Sequence, residues 1–179
     1  MKPEIERRAF ALDDIRIEER VVDDAKQPVI FGHAAVFNEL SEDLGGFREK
    51  IAPGAFSKSL GGDVRALFNH DPNMILGRTK AKTLRLSEDK IGLAVEIEPP
   101  VTATSRHVIE ALRRGDVTQM SFGFRTRQDH WDDTESGIVR TLLDVELFDV
   151  SPVTFPAYPQ TDVAVRSLTE WKASKPVVE

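Results

Sequence analysis

The sequence predicts a mainly β protein with a few helices, of the α+β class, closed into a compact and mostly antiparallel β-barrel. Three observations lead there. Short alternating or apolar runs separated by turn residues dominate the chain. Only one segment carries full helix punctuation. Hydrophobic residues make up 40% of the 179, enough for a single core and too few for two large ones.

The strand signals come in order. Residues 15–22 (IRIEERVV) and 28–37 (PVIFGHAAVF) are rich in Ile, Val and Phe. Residues 82–86 and 91–97 flank the polar turn Ser87–Lys90 and predict a hairpin. Residues 119–127 (QMSFGFRTR) and 138–148 (IVRTLLDVELF) alternate, with the polar QDHWDDTESG between them as an exposed hairpin tip. A last short strand is predicted at 162–166. The well-marked helix is capped by Thr102 or Thr104, shares Val108, Ile109 and Leu112 on one face, and carries Arg113 and Arg114 in its last turn before Gly115. A shorter helix is expected from Pro53 to the Gly61–Gly62 pair. One folded domain is therefore expected over 13–168, with charged, loose segments at 1–12 and 169–179.

Composition excludes several activities. The net charge of −6 leaves no broad basic surface for a phosphate backbone, so nucleic acid is not an expected partner. With no cysteine there is no thiol nucleophile, disulfide or thiolate metal site. The first residues lack the apolar run of a signal peptide, and no apolar stretch reaches membrane-spanning length. A soluble intracellular protein without a membrane partner is expected. No HExxH pair is present and the histidines lie in unrelated contexts, so neither a metal nor another cofactor is expected.

A serine hydrolase needs a hydroxyl, a base, a group that orients the base, and donors for the oxyanion. Four histidines are available. His107 falls in mid-helix and His130 in the polar tip, where both read as solvated side chains. His33, within an apolar strand, reads as structural. His70 ends the strand-like VRALFNH and precedes Asp71-Pro72, which places it beside a turn and facing a cleft. In QMSFGFRTR, Met120, Phe122 and Phe124 share the core face, while Ser121, Gly123 and Arg125 share the other. Ser121 is thus displayed on the solvated face of a rigid strand, with open space at Gly123. In TLLDVELFDV the same parity puts Leu143, Val145 and Leu147 inward and Asp144 and Glu146 outward. Glu146 is the preferred third member, to accept the imidazole N–H and fix its tautomer. Asp149 and Asp144 are backups, Asp149 requiring a bulge to leave the apolar face. The absence of GxSxG argues against an α/β-hydrolase.

Five stretches then resemble one family in its own order: the strand GHAAVFN, the start of IAPGAFSKSL, the FNHD turn, SFGF, and ELFDVSPVTFPA. Together they are similar to the tailed-phage prohead proteases from about Gly32 to about Val165. The resemblance implies His70 as base and Ser121 as nucleophile, and an assemblin-like β-barrel surrounded by helices with the catalytic groups on its outside. It implies backbone donors to the oxyanion around Val153 and Thr154. Glu146 stands where the herpesvirus assemblins use a second histidine, and His33 where the family often has tyrosine. The implied substrates are the capsid scaffold, or a scaffold segment of the major coat protein, and the protease itself. The implied place of action is the procapsid in the bacterial host cytoplasm, with a homodimer, as in the assemblins, as one form of activation. The competing reading is a non-catalytic assembly protein that keeps the same barrel to bind scaffold or coat.

Overall fold

The structure, a computed structural model, describes residues 4–10, 14–156 and 161–176. Within them lie ten strands and two helices: β1 (Glu6–Phe10), β2 (Arg16–Val22), β3 (Ala25–Val36), β4 (Arg48–Ile51), β5 (Arg65–Phe68), β6 (Asp71–Arg78), β7 (Leu84–Glu88), β8 (Gly92–Ile97), α1 (Ala103–Arg114), β9 (Gln119–Thr134), β10 (Gly137–Val153) and α2 (Asp162–Ser174).

The strands form two sheets and do not close into a barrel, which corrects the expected architecture. One sheet runs β1-β9-β10-β5-β6, with β4 also paired to β10; the other runs β2-β3-β8-β7. Both contribute to one core, in which Ile30, Leu93 and Ile97 of the smaller sheet meet Phe122, Phe124 and Val150 of the larger. Phe122 lies at its centre, stacked on Phe124 with centroids 4.9 Å apart and meeting Phe56 edge-on at 5.5 Å. Its complete burial contributes about 2–3 kcal/mol.

The long β9–β10 hairpin is the backbone of the larger sheet. Pairing extends from Gln119 opposite Val153 to Thr134 opposite Gly137, so the polar stretch expected to be a tip is mostly paired strand. α1 follows the sequence: Thr102 Oγ1 accepts from the Ser105 N–H, and Gly115 closes the helix at φ 80°.

Several expectations fail for identifiable reasons. The segment after Pro53 forms successive turns closed mostly by hydrogen bonds between residues three apart, and Gly54 takes a left-handed φ of 91° that a right-handed helix cannot contain. Residues 162–166 start α2 and are not a strand. Thr161 caps the helix, and Ala164, Leu168 and Trp171, at helical spacing, pack against Leu44, Phe47 and Trp131. β1 falls in the segment expected to be loose, and α2 continues through most of the expected C-terminal tail. Glu6 and Arg8 of β1 are buried with Glu49 and Arg140 in one ionic cluster.

Candidate active site

His70 sits in a two-residue connection of the larger sheet. Phe68 of β5 pairs with Asp71 of β6, leaving only Asn69 and His70 between the strands. Both have positive φ, 55° and 56°, the signature of a type I′ hairpin turn, which matches the twist of the flanking strands. For a histidine this backbone is strained, by about 1–3 kcal/mol. The surroundings hold it. The Asn69 N–H donates to Pro152 O at 3.0 Å, and the His70 N–H donates to Ser151 Oγ at 3.3 Å. Asn69 Nδ2 donates to Thr154 Oγ1 at 3.1 Å.

The turn delivers the imidazole onto the face of the sheet opposite the core. There Nε2 lies 2.9 Å from Ser121 Oγ, although the two residues are far apart in the chain. On its other side Nδ1 lies 2.6 Å from Asp149 Oδ2. The carboxylate is fixed again by Ser151, whose Oγ–H donates to the same oxygen at 2.8 Å. Ser121, His70, Asp149 and Ser151 thus form one continuous hydrogen-bonded chain.

Asp149 reaches this face through a bulge. Leu147 pairs with Phe124 and Asp149 with Gly123, so Phe148 is the extra residue. Opposed residues of an antiparallel pair share a face, and one inserted residue reverses the parity of all that follow. Asp149 and Ser151 therefore join Gly123 and Ser121, while Val150 turns inward against Phe122. Gly123 gives the carboxylate its space: a Cβ there would lie 2.3 Å from Asp149 Oδ1.

The structure brings Ser121 and His70 together and places the backup Asp149, not the preferred Glu146, against the imidazole. Glu146 pairs instead with Arg125, the residue opposite it on β9, and with Arg127 at 3.4 Å. Asp144 binds Lys58 Nζ at 2.6 Å. Of the backbone donors expected for the oxyanion, the Thr154 N–H is engaged by Asn69 Oδ1 at 2.8 Å, and Val153 ends β10 opposite Gln119. His107 and His130 are exposed. His33 bridges two carboxylates, with Nδ1 against Asp14 and Nε2 2.6 Å from Asp89. Ser151 is the residue that sequence reasoning missed. Its signal was the DVS spacing, which puts it on the same face as Asp149. Among the described residues no cluster of side chains suits a metal ion, and no helix is long and apolar enough to cross a membrane.

One expectation about exposure is reversed. Ser121 lies on the face away from the core, yet it is 0% exposed. The imidazole lies against its hydroxyl, and β1 runs along the free edge of its strand, with Ala9 directly opposite.

Known proteins resemble this chain in sequence and in fold. The prohead protease of Enterobacteria phage HK97 is 29% identical over 162 residues, covering 88% of this chain and 67% of that one. The solved bacteriophage T4 capsid assembly protease superposes over 87% of this chain and all of its own with a TM-score of 0.59; at 11% identity it shows a shared fold. The family model of the caudovirus prohead serine proteases matches residues 14–174, nearly the whole described body. A chain so matched, and so folded, belongs to the caudovirus prohead serine proteases and is a serine protease of phage capsid maturation.

Proposed function

We propose that the protein is an endopeptidase in which Ser121 is the nucleophile, His70 the general base and Asp149 the group that orients it. The observation that carries this is the unbroken chain Ser121 Oγ–His70 Nε2 and His70 Nδ1–Asp149 Oδ2, at 2.9 and 2.6 Å. With its Nδ1–H held by the carboxylate, the neutral imidazole presents the Nε2 lone pair to the hydroxyl. As Ser121 Oγ attacks a peptide carbonyl, His70 takes its proton, and Asp149 stabilises the imidazolium. The proton then passes to the leaving amine, and water resolves the acyl-enzyme by the reverse route.

The oxyanion donors are assigned to the end of β10 at Val153 and Thr154. There the Thr154 N–H exchanges Asn69 Oδ1 for the developing negative charge. The substrates are the capsid scaffold, or a scaffold segment of the major coat protein, and the protease chain itself, cut inside the procapsid in the host cytoplasm. Confinement there supplies the concentration that a low intrinsic affinity would otherwise require.

The test is co-expression with the cognate coat and scaffold proteins, with and without Ser121→Ala, read by intact mass. Defined fragments should form only with Ser121 present. Equal processing by Ser121→Ala removes the assignment.

A further inference from the structure

β9 carries the nucleophile, and its two edges are both occupied: β10 holds one and β1 the other. β1 lies antiparallel over Met120–Phe124, with Ala9 opposite Ser121 and Arg7 opposite Gly123. Residues opposed in this way share a face, so Arg7 and Ala9 flank the hydroxyl on the side from which a carbonyl must approach. Ile5 extends the cover, with its Cγ2 3.5 Å from where a Cβ on Gly123 would stand. The opposite face of β1 is anchored. Arg8 donates to Glu49 at 2.8 Å and to Glu6 at 2.6 Å, both buried. Phe10 stacks parallel to Phe122 with centroids 6.4 Å apart.

An extended peptide presented to a serine on a strand is held most simply by adding to that strand's free edge, where main-chain hydrogen bonds give affinity and alternate side chains give specificity. In this molecule that edge is taken by the chain's own residues 6–10. β1 precedes the segment that matches the family, residues 14–174.

We propose that β1 is a built-in blocking strand, lying where the extended chain of a substrate docks along β9, and that the protease is latent until β1 leaves this edge. This rests on Ser121 being the nucleophile. β1 also reports the register of the true substrate, an extended polypeptide with a small residue opposite Ser121. Activation is therefore a change at the N-terminal strand and needs no rearrangement of Ser121, His70 and Asp149, which are already within hydrogen-bonding distance.

The test is labelling by a fluorophosphonate probe, in which Ser121 Oγ bonds to phosphorus and fluoride leaves with the hydroxyl proton. Arg8→Ala removes the anchor, and Ala9→Pro disrupts the strand itself. Each should raise the labelling rate of the full chain by about tenfold or more: a buried ion pair that loses one partner weakens by well over that factor, and a proline within the strand removes a ladder hydrogen bond. The unaltered chain gives an answer without mutation: labelling should accelerate at urea concentrations below the unfolding midpoint, as an edge strand opens before the core. If the unaltered chain labels as fast as the folded variants, and its rate ignores urea in that range, the blocking strand is overturned. If no form labels above a Ser121→Ala blank, the nucleophile assignment falls as well.

Discussion

Asp149 Oδ1 occupies the space that a side chain at Gly123 would need: a Cβ built there lies 2.3 Å from that oxygen. The glycine and the carboxylate are therefore one feature, since the acid can stand beside His70 only while its cross-strand neighbour has no side chain. Gly123→Ala should push the carboxylate off His70 and Ser151. The expected result is a fall in kcat/KM of about 10²–10⁴-fold, approaching loss of the acid itself, with about 1–3 kcal/mol of overpacking strain. Peptide kinetics and urea unfolding measure the two effects separately.

The two acids near the site should behave very differently. Asp149→Asn keeps the shape but favours the wrong imidazole tautomer, so kcat should drop by about 10⁴-fold. Glu146→Gln breaks only the exposed pairs with Arg125 and Arg127, worth about 0–1 kcal/mol, and activity should stay within about threefold. Steady-state kinetics on both variants decides between them. The opposite ranking would return the orienting role to Glu146.

His33 makes stability depend on pH. Burial alone lowers its pKa, but hydrogen bonds to Asp14 and Asp89 outweigh that and raise it above the ordinary imidazole value. A raised folded pKa contributes stability fully below the unfolded value of about 6.5 and loses it as pH climbs through the folded pKa. The urea midpoint of the unaltered chain should therefore exceed that of His33→Gln most at pH 5.5–6. The gap should shrink steadily toward pH 9; a gap that widens with pH contradicts the bridge.

The ionic cluster beneath β1 should be costly to break from one side. Burial opposes the charge on Glu6, yet the Arg8 and Arg140 guanidiniums hold its carboxyl below the usual range. Arg140→Met would leave Glu6, Glu49 and Asp129 short of a cation and should destabilise by about 3–5 kcal/mol. Adding Glu6→Gln should recover part of that loss. Chemical denaturation of the single and double variants measures both.

Much of the site could be read from the chain because alternation is a local property. Met120, Phe122 and Phe124 mark the buried face, and that alone puts Ser121 on the other; His70 follows from a strand running into a turn. Asp149 could not be placed the same way, since the bulge at Phe148 reverses parity and nothing in LFDVS announces an extra residue. β1 escaped notice for a different reason. Charged residues in ERRAF read as a solvated tail, and only the pairing of Glu6 and Arg8 with Glu49 and Arg140, contributed from far along the chain, allows them to be buried. The barrel failed because closure depends on which outer strands meet, a property that no single strand's sequence carries.

His70, the proposed general base, stands on a connection with no spare length. A hairpin joined by two residues ties the imidazole's position to strand register, so lengthening it by even one residue would swing the ring off the serine while both strands stayed paired. Surface connections that carry no part of this site can change length without moving the ring. Between Phe68 and Asp71 the protease has no such freedom, and the count of residues there matters as much as their kind.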